Sequence, residues 1–295
     1  MMSGISSVAK RHPLVAFFAL TFALSWAFEI PLVVLGDGIA GSRGLVLNLL
    51  AANVPSVLGI ALTAMVLGRG ALRKLLGRLL IWRVDPRWYL VVLGPAVLSG
   101  GVVALNALLG GPALSVDVPL LGAVIFLAFS VFPGSALGEE IGWRGYALPR
   151  LQAGRSALGA SLILGVIWGF YHLPLYFTGQ AARPLGLFPL FWVSTIALSV
   201  IITWMYNGTG GSLLLVVLLH ATFNLPLTLL IAPLGSQMTL AFSLYVGLLV
   251  VAALAVVVWA GPQHLSRKHG KQEQEEGAAE SGAATPPGPV KSTPA

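Results

Sequence analysis

The run GSALGEEIGWRGYALPRL, residues 134–151, carries two adjacent glutamates and an arginine, Glu139, Glu140 and Arg144, directly after a long apolar stretch. Further along, LGVIWGFYHLPLYF holds His172, and GGSLLLVVLLHATFNLP holds His220 and Asn224. A carboxylate and a histidine can activate a water as general base. Two histidines and a carboxylate (Glu139, His172 and His220) can equally bind a divalent metal, zinc first, and lower the pKa of its water to about 7. The remaining histidine and the asparagine amide can stabilise an oxyanion by hydrogen bonding. Both the metal route and the metal-free route lead to hydrolysis, and a buried amide is a natural target.

Spacing sorts these groups. On a helix Glu140 and Arg144 are four residues apart, share a face and can pair. Glu139 points about 100° away, toward whatever lies on the neighbouring face. His220 and Asn224 are again four apart on one face. His220 lies about 13 Å along its helix from Gly211, near the middle of a ~30 Å hydrocarbon core. A charged side chain at that depth costs roughly 2.5–3.5 kcal/mol on insertion scales, so intramembrane ionisable residues are candidates for function. Glu29 is the other such carboxylate. It precedes Pro31, belongs to no motif, and is read as structural.

These residues need elements to position them, and composition says which. The chain has 295 residues, of which 57% are hydrophobic and 9% charged, and its mean hydropathy is +0.88. Soluble domains carry roughly a quarter charged residues, so this chain lacks the polar surface to cover a soluble core. Eight apolar segments are expected, at about 13–35, 45–67, 88–109, 118–138, 157–173, 187–206, 211–231 and 239–260. Hydrocarbon leaves no partner for open backbone groups, so these segments must be helices. The fold class is an all-α polytopic membrane bundle of about eight transmembrane helices. The fourth segment is expected to run on through the glutamates to about Leu148, where Pro149 ends it. The first exceeds the length of a signal-peptide core and is read as a retained helix.

The net charge of +7 brings nucleic acid or anionic lipid to mind as partners. Placement excludes nucleic acid, because the basic residues flank apolar segments and there is no soluble domain to carry a basic face. With the N-terminus cytoplasmic, Lys10 and Arg11, then Arg69, Arg73, Lys74, Arg78, Arg83 and Arg87, then Arg144, Arg150 and Arg155, then the tail basic residues fall on one side. Arg43 and Arg183 fall on the other, as the positive-inside rule requires. Both termini of a multi-pass cell-membrane protein would be cytoplasmic. The stretch RGALRKLLGRLLIWRV, residues 69–84, has the pattern of an interfacial helix or a basic topogenic loop. The absence of cysteine removes disulfides, thiolate ligands and a cysteine nucleophile. Three regions are expected: 1–117, N-terminal helices with the basic loop; 118–260, the core with the polar constellation; and 261–295, a disordered tail rich in Pro, Gly and charge. GSALG and GVIWG are G-x-x-x-G patterns that allow helices to approach closely.

With three motifs now in order, the sequence resembles a known family. EEIGWR matches E-E-x-x-x-R, WGFYH stands at F-x-x-x-H, and HATFN matches H-x-x-x-N/D. The order and spacing are similar to the CPBP or Abi family, which holds type II CAAX prenyl endopeptidases and bacteriocin-processing or immunity proteins. The resemblance covers roughly 120–230. Trp168 departs from the usual phenylalanine four residues before the histidine, retaining a ring but changing cavity shape.

The resemblance implies a multipass intramembrane protease acting on a peptide or membrane-protein substrate. In that reading Glu139 and His172 position and activate water, and Glu140 with Arg144 orients the site. His220 and Asn224 support the oxyanion or, with a metal, complete the ligand set. Two readings of other classes stand beside it: a non-catalytic immunity or regulatory protein of the same fold, and a proton-coupled transporter, since buried Glu and His also build proton relays.

Overall fold

The computed structural model describes residues 10–36, 41–111, 114, 119–178, 184–226, 228, 234 and 237–267. Every regular element among them is helical. The chain runs α1 (Pro13–Leu35), α2 (Ser42–Gly77), α3 (Arg87–Val92), α4 (Gly94–Leu108), α5 (Leu120–Val131), α6 (Ser135–Glu140), a π-helical stretch Ile141–Ala147, α7 (Leu148–Gln152), α8 (Ala157–Tyr171), α9 (Phe188–Gly208), α10 (Leu213–Leu225) and α11 (Met238–Ala260). The all-α membrane bundle expected from the sequence is what forms. Among the described residues six helical spans are long and apolar enough to cross a membrane. The segments near 88–109 and 211–231 instead give shorter apolar helices, α4 and α10, so the count of eight is met only if these two also span.

Local sequence explains the ends. Pro13 opens α1, where its missing N–H removes no helical bond, and Gly36 closes it in the left-handed region at φ 66°. Ser156 and Ser212 cap α8 and α10, accepting from Gly159 N–H and Leu215 N–H at 3.1 and 3.2 Å. The basic stretch at 69–84 begins as the far arm of α2, which turns sharply at Gly68 (φ 79°, ψ −178°).

The fourth apolar segment differs from expectation in two places. It is interrupted after Val131, where Phe132 is extended and Pro133, with no N–H, cannot continue the ladder. It then passes through the site into the π-helical stretch, where Leu148 N–H bonds to Trp143 O, five residues back. Pro149 therefore falls in the first turn of α7 rather than stopping the helix, and the chain stays helical to Gln152.

The glutamate segment is pressed onto α2. A Cβ added at Gly138 would lie 2.6 Å from Ala52 O, and one at Gly142 would overlap the Pro55 carbonyl. The close-packing G-x-x-x-G is thus GEEIG, residues 138–142, which contains both glutamates. GSALG contributes only its last glycine to this seam, since Gly134 sits in the turn against Phe129 and Ser130. GVIWG behaves as expected: Gly165 and Gly169 meet α9 at Ile196 and at Thr195 and Trp192. Polar side chains tie the seam further. Ser56 donates to Leu137 O at 2.7 Å and Asn53 to Pro133 O at 3.0 Å, while Tyr171 of α8 donates to Ala51 O on the same stretch of α2 at 2.9 Å. In an apolar surround such bonds have no competing water.

The ordered chain continues past Gly261, the expected start of the tail. Ala157 and Leu158 donate their N–H groups to Gln263 O and Pro262 O at 2.7 and 3.0 Å, so the segment after α11 covers the start of α8. Leu265 is fully buried there. The tail beyond Arg267, with its expected disorder, lies outside the described residues, as does Arg183 of the topology argument.

Candidate active site

All six polar residues singled out above lie in one region of the bundle. Glu139 and Glu140 close α6, Arg144 sits in the π-helical stretch, His172 follows α8, and His220 and Asn224 share α10. Glu139, His172, His220 and Asn224 line one cavity of about 370 Å³. Most of its wall is apolar and aromatic, for example Phe129, Phe191 and Phe242.

The two glutamates turn to different partners, as the 100° offset requires. Glu140 Oε1 accepts from Arg144 Nη1 at 2.9 Å and lies 2.7 Å from His220 Nδ1. All three side chains are essentially buried. Arg144 makes this one hydrogen bond among the described residues, leaving Nε and Nη2 unmatched. Its guanidinium instead lies 4.3 Å from the centre of the Trp168 ring, where the π face offsets part of the lost hydration.

Glu139 is held by indoles. Its Oε2 accepts from Trp143 Nε1 at 3.2 Å and from Trp168 Nε1 at 2.5 Å. Its Oε1 lies 3.7 Å from His172 Nε2. The other ring nitrogen of His172 is 2.9 Å from Trp168 O, a carbonyl that only accepts, so Nδ1 carries the proton in this contact. In the neutral ring Nε2 is then a lone pair. Glu139 Oε1 and His172 Nε2 are two acceptors facing one another, too far apart to bond directly and spaced for a water that donates to both.

In the lining of the same cavity Asn224 Nδ2 lies 3.1 Å from both Ser130 Oγ and Ser135 Oγ. Glu29, read from the sequence as structural, lines the same cavity and is 2% exposed.

The zinc option asks Glu139, His172 and His220 to converge on one point. Among the described residues no three His, Asp or Glu side chains gather so as to hold a metal ion. His220 commits Nδ1 to Glu140, His172 commits Nδ1 to Trp168 O, and Oε2 of Glu139 accepts from two N–H donors. Were a metal bound, Glu139 Oε1 and the Nε2 atoms of His172 and His220 are the atoms that would hold it and lower the pKa of its water; no step below passes through one.

Sequence reasoning did not find the indole donors. Trp143 is four residues after Glu139, and Trp168 four before His172, which is the signal that would have found them. Trp168, noted in the sequence only for its ring and its effect on cavity shape, supplies a ring for Arg144 and an N–H for Glu139. Ser130, Ser135 and Glu29 carried no comparable signal.

Fold and site together define a polytopic helical membrane protein with a buried carboxylate–histidine pair opening on a cavity. Residues 120–226 match the family model described as Type II CAAX prenyl endopeptidase Rce1-like. The motif resemblance therefore holds over the segment that carries all three motifs. The chain is also similar to a CAAX prenyl protease 2 of Methanococcus maripaludis, at 29% identity over 169 residues. That alignment covers 54% of this chain and 57% of the relative, so the chain spans little more than half the relative's length.

Proposed function

We propose that this protein is an intramembrane endopeptidase that hydrolyses a peptide bond of a membrane-associated protein or peptide with a water activated by Glu139 and His172. The observation that carries this reading is the pair of facing acceptors, Glu139 Oε1 and His172 Nε2, 3.7 Å apart on the cavity wall. A water donating to both is held with its lone pairs directed at a bound amide. As its oxygen bonds to the carbonyl carbon, its O–H bond breaks and the proton passes to the Glu139 carboxylate. The tetrahedral intermediate then collapses, the C–N bond breaks, and the proton goes on to the leaving amine. The indole donors to Oε2 keep the carboxylate oriented with Oε1 toward the water.

Glu140 and Arg144 act one step back. Glu140 fixes the His220 ring through Nδ1, which leaves Nε2 for the substrate. Arg144 balances the charge of Glu140. His220 and the Asn224 corner line the same cavity, and the amide or hydroxyl donors at that corner would meet the carbonyl oxygen as it develops charge. The route in this reading is metal-free, because Glu139 Oε1 and His172 Nε2 suffice to hold and deprotonate the water.

The family match and the relative's name support a CAAX-type processing substrate, and the motif resemblance alone adds bacteriocin-type processing. The apolar wall suits a chain segment already partitioned into the bilayer. The asymmetry of Lys and Arg in the loops supports a cytoplasmic location for both termini. The test is cleavage of fluorogenic membrane-tethered peptides by purified protein in nanodiscs, for wild type and Glu139→Gln. Wild-type cleavage lost in the variant is the expected result. Equal rates for the two would overturn the role of Glu139, and uptake of a solute without cleavage would favour the transporter.

A further inference from the structure

Asn224 has two amide protons, and both are directed at hydroxyls: Nδ2 is 3.1 Å from Ser130 Oγ and 3.1 Å from Ser135 Oγ. A serine hydroxyl has one proton to give and two lone pairs. Each of these hydroxyls accepts from the amide, so its own proton is left for another acceptor. Helical serines commonly give that proton to a carbonyl of the preceding turn, as Ser161 does to Leu158 O and Ser194 to Phe191 O. Ser130 and Ser135 do not: among the described residues neither hydroxyl donates to a protein acceptor. The break at 132–134 explains this for Ser135, which opens α6 with no helical turn before it. Ser130 is 4% exposed, so bulk water does not take its proton either. Both residues line the cavity that holds Glu139, His172 and His220.

We propose that Ser130 and Ser135 are the hydrogen-bond donors that meet the carbonyl oxygen of the scissile amide, and that Asn224 is the positioning residue that orients them. The inference rests on the hydrolytic reading above. When the water oxygen bonds to the carbonyl carbon, the C=O π pair moves onto oxygen. Two O–H groups that line an apolar cavity and have no protein acceptor among the described residues stabilise that charge with little reorganisation. An asparagine whose two protons are already held cannot supply the same bonds without abandoning a serine.

The experiment measures kcat and KM separately on the tethered peptide for wild type, Glu139→Gln, Ser135→Ala, Ser135→Thr, the Ser130→Ala/Ser135→Ala double variant and Asn224→Asp. The double variant is expected to lose roughly 100-fold in kcat, the size of an oxyanion-donor loss, with KM little changed. Ser135→Thr, which keeps the hydroxyl, should recover most of what Ser135→Ala loses. Asn224→Asp should also lose kcat although both serines remain, because a carboxylate takes their protons away from the cavity. If Asn224 is itself the donor, removing both serines frees its amide and kcat of the double variant stays at the wild-type value; that result overturns the inference while the hydrolytic reading stands. Equal cleavage by wild type and Glu139→Gln overturns the reading and the inference with it. Should the double variant fail to fold, Ser135→Ala against Ser135→Thr decides: equal kcat in the two overturns the inference.

Discussion

Trp168 donates its indole N–H to Glu139 Oε2 at 2.5 Å, joining α8 to α6 across 29 positions of sequence. The same ring lies under the Arg144 guanidinium. One side chain therefore touches the carboxylate proposed to take the proton and the cation that balances its neighbour. Trp168→Phe keeps the ring and deletes the N–H. A hydrogen bond to a charged group contributes about 1.5–3 kcal/mol, so kcat should fall by roughly 10- to 100-fold. Trp143→Phe, which loses the longer bond, should fall less. Steady-state kinetics of the two variants checks the order.

The Glu140–Arg144 pair is fully buried. Arg144→Met leaves an uncompensated carboxylate in the bundle and should cost roughly 3–5 kcal/mol of stability. Glu140→Gln/Arg144→Met removes both charges and should recover much of that loss while remaining inactive. Unfolding in detergent, compared with wild type, reads the difference.

Gly142 has the Pro55 carbonyl where a Cβ would go, whereas Gly70 has open space. Gly142→Ala should destabilise by roughly 1–3 kcal/mol through overpacking. Gly70→Ala, on the arm of α2 past the kink, should be neutral or slightly stabilising. Thermal melts of the pair, measured side by side, separate a packing effect from a general helix effect.

A metal-free route predicts that cleavage survives a strong zinc chelator and that purified active protein holds substoichiometric zinc. Elemental analysis with chelator-treated kinetics tests both. Loss of activity on chelation with recovery on adding zinc alone would overturn the metal-free route.

Much of this was legible in the sequence, because the membrane makes polar residues expensive and therefore conspicuous. The i,i+4 pairing of Glu140 with Arg144, and the divergence of Glu139 from it, follow from helical geometry and are realised at 2.9 Å. The first segments and the all-α class follow from apolar length. What was not legible depends on tertiary approach. That Trp168 and Trp143 turn their N–H groups to one oxygen requires α8 and α6 to be adjacent. Glu29 lies about 110 residues before Glu139 in the sequence, and no local pattern links the two. The GEEIG seam was hidden because Gly-x-x-x-Gly does not say which neighbour it faces. Pro149 was read as a stop, since the π-helical stretch before it leaves no trace in hydropathy.

Gly138 and Gly142 press the glutamate segment against α2, Ser56 and Asn53 bond across that contact, and Tyr171 of α8 bonds to the same stretch of α2. Nearly all of that wall belongs to residues 51–56, well before the family match begins at residue 120. Competence here is distributed rather than modular. A fragment cut at 120 and 226 would carry every motif and yet present the glutamates to lipid on one side, without the template that sets their spacing. Transplanting the motif-bearing segment into another bundle would therefore require transplanting α2 with it. Conversely, substitutions in a helix with no signature residue are as able to silence the site as changes in the signature itself.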